Sequence, residues 1–151
     1  PENEIEIVHK GALLHDIGKI GVPDSILNKK GKLLFDESEL IKEHPAKGVD
    51  ICGVLRLKPL VIDIIQHHHE DLDGNGYPDR LKDREINKLV RVVTIADKYD
   101  ALTTDRPYRK ALSDTETISI LRSEAEKNKC DMSIVNCLER CIQKNALHKN
   151  N

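Results

Sequence analysis

The stretch Gly11-Ala12-Leu13-Leu14-His15-Asp16-Ile17-Gly18-Lys19 constrains the fold of this chain more than any other, because it embeds an ionisable pair in an apolar helical run. Leu13, Leu14 and Ile17 call for a hydrophobic core, whereas His15 and Asp16 are costly to bury unless something pairs with them. A bound cation is one such partner; a satisfied structural histidine is the competing explanation. Gly18, Gly21 and Pro23 end the helical pattern after Ile17, so the pair is expected at a helix C-terminus, with an irregular segment following through Gly31.

Later stretches repeat the theme of polar groups on apolar helices. Asp36, with Glu39 three residues on, reads as the cap of a helix that reaches His44, where Pro45 opens the next. From Pro59 the run Leu60, Val61, Ile62, Ile64 and Ile65 leads into His67-His68-His69-Glu70, and a turn-rich loop over 73–78 follows. At about 100° per residue His68 falls at the centre of that apolar stripe, His69 on its flank and His67 outside it, so His67 is expected as a solvated surface residue. A helix over about 87–103 puts Val90, Val93 and Asp97 on one face. Ser113 and Glu116 form a capping box for a helix to about 128, and a last helix carries Ile134, Val135, Leu138 and Ile142, with the polar end 145–151 expected to fray. Nothing reads as a strand, and the expected fold is an all-α helical bundle.

His15, Asp16, His44, His68, His69 and Asp97 are therefore nitrogen and oxygen donors spread over four helical segments, which is how bundles assemble metal sites in their cores. Mixed imidazole and carboxylate donors suit Fe, Mn or Zn better than Mg or Ca, and Asp16 or Asp97 is a candidate bridge between two ions. Asp71, Asp73, Asn75, Gly76 and Asp79 follow the start of an EF-hand loop, but Lys82 stands where that loop needs its bidentate Glu and Pro78 at its eighth place, so calcium binding of that kind is not expected. Arg106, Arg109 and Lys110 cluster after the Asp97 helix and on composition alone read as a solvated loop. Beside a metal centre, Arg106 and Arg109 suit bidentate phosphate contacts, with Lys19 as a nearby point charge.

Composition narrows the partners. A formal charge of −2 gives no global pull toward a nucleic acid polymer or anionic lipid. No apolar run approaches the ~20 residues of a membrane span, and no charged-then-apolar leader precedes Gly11, so no membrane contact and a cytoplasmic address are expected. Cys52, Cys130, Cys137 and Cys141 contain no CxxC pair and are expected as small, reduced, buried hydrophobes rather than as disulfides or a thiolate metal site.

Four motifs then occur in order between Gly11 and Lys110: His15-Asp16-Ile17-Gly18-Lys19-Ile20-Gly21-Val22-Pro23; His44-Pro45-Ala46-Lys47-Gly48; His68-His69-Glu70-x-x-Asp73-Gly74-x-Gly76-Tyr77-Pro78; and Ala96-Asp97-x-x-Asp100-Ala101-Leu102-Thr103-Thr104-Asp105-Arg106-Pro107-Tyr108-Arg109. Together they resemble the successive motifs of the HD-GYP family, within the HD superfamily of metal-dependent phosphohydrolases. The resemblance implies an all-α bundle of the HD-domain type with a metal centre in its core, hydrolysing cyclic di-GMP to linear pGpG or to GMP. It implies His15, Asp16, His44, His68, His69 and Asp97 as metal ligands, Asp16 bridging two divalent ions, Fe or Mn, with a third ion in some members. It assigns Asp16 and Lys19 to catalysis and places Lys19, Gly76, Tyr77, Pro78, Asp100, Arg106 and Arg109 near the substrate, with Tyr77 able to pack on a guanine base.

The chain also departs from the family pattern. Members carry an earlier helix with a further ligand histidine; His9, six residues before His15, does not match it. The expectation is a single HD-GYP domain over 1–151 that lacks this helix and is under-metallated or covers the gap as a homodimer, with a sensory or receiver domain possible in a longer protein. Residues 80–87 lack the family's usual glycines and proline, Lys30 stands where a proline is usual, and Cys130-Asp131-Met132 replaces Phe-Asp-Pro. These changes touch loops and spare the ligands. Another HD-superfamily phosphohydrolase reaction, and a non-catalytic cyclic-dinucleotide receptor or partner-docking module, remain open at this level; the intact ligand set favours an enzyme.

Overall fold

The computed structural model describes residues 2–105 and 109–149, and among them the regular structure is helical, with isolated bridge residues at Asp73 and Lys82, paired antiparallel, and at Arg109. The helices are α1 (Glu2–Leu14), α2 (Asp24–Leu27), α3 (Phe35–Lys42), α4 (His44–Cys52), α5 (Pro59–His67), α6 (Lys88–Thr103), α7 (Asp114–Glu126) and α8 (Met132–Lys149), with 3-10 turns at Ile17–Gly21 and Asp83–Glu85. The chain divides into two compact units, Pro1–Thr94 and Ile95–Asn151, with α6 running from the first into the second.

The first unit is built on α5. Pro59 occupies the first turn, where its missing N–H costs nothing, and Val61, Ile64 and Ile65 are completely buried. Burying each such side chain contributes about 1.5–3 kcal/mol. Helices α1 and α4 pack against α5, and Ile7, Cys52, Leu72, Ile86, Val90 and Val93 complete the core. Two glycines permit the close approaches that aim the site. A Cβ on Gly11 would lie 2.6 Å from Ile64 Cδ1, where α1 meets α5, and a Cβ on Gly18 would overlap the His44 carbonyl, where the 3-10 turn presses on the start of α4.

Three boundaries differ from the sequence expectation. Helix α1 stops at Leu14 rather than Ile17, because the chain tightens into the 3-10 turn that brings Gly18 against α4; Leu14 and Ile17 still pack on the core, while Leu13 is 70% exposed. Helix α3 is capped by Glu37, whose carboxylate accepts the Leu34 N–H at 2.7 Å, and not by the Asp36 and Glu39 pair. Lys29 Nζ lies 2.6 Å from the same Glu37 carboxylate and fixes its position. Helix α8 continues through the polar end to Lys149.

In the second unit the Ser113 and Glu116 capping box forms as expected, Ser113 Oγ accepting the Glu116 N–H at 3.3 Å and Glu116 accepting the Ser113 N–H at 2.9 Å. Helix α7 packs on α8 around Ile118, Leu121, Ile134 and Val135. Cys52 and Cys130 are buried, each in the core of its own unit, but Cys137 and Cys141 are exposed on α8, which corrects their reading as core residues. Among the described residues no helix is long and apolar enough to cross a membrane.

Candidate metal centre and adjoining groove

Each of three histidines follows the last turn of a helix, where backbone carbonyls lack intrahelical donors, and each takes one of those carbonyls. Nδ1 of His15 lies 2.7 Å from the Ala12 carbonyl, Nδ1 of His44 2.8 Å from that of Ile41, and Nδ1 of His68 3.0 Å from that of Ile65. A carbonyl only accepts, so Nδ1 carries the proton, and a neutral ring then presents a lone pair at Nε2. The helix ends thus set both tautomer and direction, as they do for metal-ligating imidazoles.

These Nε2 atoms face inward around Asp16. His44 Nε2 lies 3.2 Å from His68 Nε2 and 3.3 Å from Asp16 Oδ1, which is 3.9 Å from His68 Nε2; His15 Nε2 lies 3.4 Å from Asp16 Oδ2. His69 completes the group, since one donor atom each from Asp16, His44, His68 and His69 falls within 4.8 Å of the others. His44 and His68 are completely buried. Burial, reinforced by the neighbouring His15 and His44, pushes the His68 imidazole down to about 4, so at neutral pH it is an uncharged donor. Burial opposes ionisation of Asp16, but its polar surroundings, the Lys19 ammonium among them, outweigh it and hold the carboxyl well below the usual range. Neutral imidazoles at 3.2 Å would oppose their Nε2 lone pairs, and Asp16 Oδ1 is buried without a hydrogen bond among the described residues. A cation between them relieves both, and this nitrogen and carboxylate set fits a divalent transition metal.

The first unit therefore brings together five of the six predicted ligands, His15, Asp16, His44, His68 and His69. Asp97 and Asp100 are carried by α6 in the second unit, Asp97 half-buried and Asp100 exposed. The Arg109 guanidinium donates to the Ala101 carbonyl within that unit, and Arg106 lies outside the described residues. Lys19 Nζ is 2.5 Å from Asp16 Oδ2, an ion pair with a candidate ligand.

An open groove of about 750 Å³ adjoins the cluster, lined among others by Lys42, His69, Gly76, Tyr77, Pro78 and Arg80. The Tyr77 ring stacks on His69 at 4.8 Å and 26°, and Lys42 Nζ stands 5.9 Å from the Tyr77 centroid. Gly76 is required there, because a Cβ would overlap the Asp71 amide and come within 2.5 Å of Glu70 Cα.

Sequence reasoning missed Lys42 and Glu70, and it misplaced His67. That ring is half-buried, with Nδ1 2.7 Å from Asp63 and Nε2 2.9 Å from Asp79; burial works against its charge, yet the two carboxylates outweigh burial and raise its pKa. Asp63, one helical turn before His67, was the available signal. Glu70 is 2% exposed directly after the ligand pair, and a buried carboxylate demands partners, although sequence does not say which.

Comparison with known proteins identifies the family. The family model for the HD domain matches residues 1–134. The chain is 47% identical over 107 residues to the cyclic di-GMP phosphodiesterase PA4108 of Pseudomonas aeruginosa, covering 70% of this chain and 26% of that protein. It is 42% identical over 112 residues to the cyclic di-GMP phosphodiesterase response regulator RpfG of Xanthomonas campestris pv. campestris, covering 73% of this chain and 30% of that protein. The chain thus spans between a quarter and a third of the length of these curated relatives. Among solved structures, Bd1817, an HDG"Y"P protein from Bdellovibrio bacteriovorus, superposes with a TM-score of 0.71 at 25% identity, over 91% of this chain and 43% of that one. With its motifs in order, its fold similar to that of an HD-GYP protein and the family model covering nearly all of it, the chain belongs to the HD domain family, in its HD-GYP branch.

Proposed function

We propose that this chain is the hydrolase domain of a metal-dependent phosphodiesterase that opens cyclic di-GMP to linear pGpG, to GMP, or to both. The observation that carries the reading is the inward convergence of Asp16, His44, His68 and His69 beside a groove floored by Tyr77. The substrate is proposed from the relatives, two of which are cyclic di-GMP phosphodiesterases by name.

His15, Asp16, His44, His68 and His69, with Asp97 as a sixth, would hold two divalent ions, Fe or Mn. When bound, such ions polarise the phosphoryl oxygens and lower the pKa of water to near neutrality. The chain's own residues do the rest. Asp16, kept ionised by Lys19, holds its charge at neutral pH, and Tyr77 offers a face on which a guanine stacks while Lys42 places a positive charge at the groove's edge. Arg106 and Arg109 are assigned to the phosphates, and Asp100, on α6, to the neighbourhood of the substrate. Preorganised charge of this kind is worth most at the transition state, where charge on the transferring phosphoryl group redistributes.

The test is direct. Chain loaded with Fe(II) without oxygen, or with Mn(II), is incubated with cyclic di-GMP, and linear products are separated and counted against metal per chain. Expected is metal-dependent appearance of pGpG or GMP, abolished in Asp16→Asn. Tight binding of cyclic di-GMP with no product at any metal loading would overturn the phosphodiesterase reading in favour of a receptor.

A further inference from the structure

Residues 79–81 turn their backbone amides onto one buried carboxylate. Glu70 Oε1 accepts the Asp79 N–H at 2.7 Å and the Arg80 N–H at 3.0 Å, and Oε2 accepts the Leu81 N–H at 3.1 Å. Arg80 adopts φ 57°, the left-handed conformation that lets successive amides converge on an anion. Here the anion is the protein's own side chain, 2% exposed.

The other end of the same loop is held by the backbone around Glu70. The Tyr77 N–H donates to the His69 carbonyl at 3.2 Å, Gly76 lies against Glu70 Cα and the Asp71 amide, and Asp73 accepts the Asn75 N–H at 2.9 Å. The loop over 73–81 therefore closes on residues 69–71, directly after the candidate ligands His68 and His69. With both oxygens of Glu70 engaged by amides, its carboxylate does not join the donor group of Asp16, His44, His68 and His69.

We infer that Glu70 is a positioning residue: its carboxylate locks the 73–81 loop so that Tyr77 stays stacked on His69 and the groove stays in line with the candidate metal centre. This rests on the phosphodiesterase reading above, in which Tyr77 receives a base of the substrate. Glu70 acts through Tyr77 and not on the reacting phosphate, so its loss should weaken substrate binding more than turnover.

Glu70→Gln tests this with little change of volume, since the amide keeps one acceptor and sets an N–H against the loop's own donors. Three measurements are made on the metal-loaded chain: metal content, kinetics, and hydrogen exchange followed by mass spectrometry. Expected are metal content equal to wild type, a KM for cyclic di-GMP raised about tenfold or more by loss of charge-assisted hydrogen bonds, and a kcat close to wild type. The loss on bis(p-nitrophenyl) phosphate, too small to span the groove, should be less than on cyclic di-GMP. Amides 79–81 should exchange faster while those of α5 do not. Tyr77→Ala should raise KM similarly, and Glu70→Gln with Tyr77→Ala should be no worse than Tyr77→Ala alone, the signature of one residue acting through another. An unchanged KM, multiplicative effects in the double variant, or equal losses on both substrates would overturn the inference. A wild-type chain that cleaves no cyclic di-GMP would instead overturn the phosphodiesterase reading, and faster exchange at 79–81 in Glu70→Gln would then still support Glu70 as the lock of the loop, its absence the reverse.

Discussion

An imidazole whose Nδ1–H is committed to a carbonyl has one lone pair left to offer, and among three consecutive histidines that commitment separates the roles. His68 is bound to the Ile65 carbonyl and faces His44, whereas His67 spends both ring nitrogens on Asp63 and Asp79. Metal analysis of single alanine variants should therefore show a large loss of metal in His68→Ala and His69→Ala and near-normal content in His67→Ala. Equal metal content across all three would remove His68 and His69 from the ligand set. Gly18 is a second residue on which the centre depends, because any Cβ there meets the His44 carbonyl. Gly18→Ala should cost about 1–3 kcal/mol in urea unfolding, as overpacking does, and should weaken metal binding through the displaced His44; a variant as stable as wild type would show that the 3-10 turn yields freely.

At the level of elements, what sequence revealed and what it hid follow one physical divide. Helix α5 and the ranking of His68 over His67 as a core residue were legible because a stripe of Leu60, Val61, Ile64 and Ile65 at helical spacing admits only one buried face. The Ser113 and Glu116 box was legible because both partners lie within four residues of each other. The end of α1 was not, since what stops it is the approach of Gly18 to α4, far along the chain. Nor was the Glu37 cap, which Lys29 helps to place from outside the helix, or the grip of Glu70 on amides nine to eleven residues away. Local patterns fix elements, and long-range contacts fix where they stop. In the second unit one such contact carries a pH signature. The Tyr99 hydroxyl donates to Asp114 Oδ1 at 2.6 Å, linking α6 to the first turn of α7. That hydrogen bond, aided by burial and the carboxylate's charge, raises the phenol from 10.0 to about 12. The folded state then keeps a proton that the unfolded state releases, so the stabilisation is fully present below pH 10 and lost as pH rises toward 12. Ultraviolet titration should show a tyrosinate phase near pH 12 that is absent in Tyr99→Phe and moves back toward 10 in Asp114→Asn; an unaltered curve in both variants would dissolve the link.

For the whole molecule the distribution of ligands predicts where metal acts on stability. Five of the six candidates lie in Pro1–Thr94, at the ends of α1, α3 and α5 and in the turn after α1, so a metal bound there ties together elements that otherwise meet through the apolar core and through exposed polar contacts such as Lys58 with Glu6 and Lys47 with the Gly21 carbonyl. Binding to the folded state alone stabilises by about 2.7 kcal/mol at a metal concentration a hundred times Kd, which for a unit of this size is on the order of 10–20 °C in melting temperature. Removing the metal with a chelator should therefore lower the melting temperature. Hydrogen exchange should show the lost protection concentrated in residues 15–21, 44–52 and 59–70, with α7 and α8 unchanged. The same experiment tests Asp97, the one proposed ligand in the second unit. If Asp97 ligates, metal also protects the part of α6 after Thr94, and Asp97→Asn abolishes that protection while leaving the first unit's in place. Protection confined to the first unit in the wild-type chain would restrict the centre to His15, Asp16, His44, His68 and His69, and a chelator that strips the metal without moving either signal would show that these side chains do not hold the fold through a cation at all.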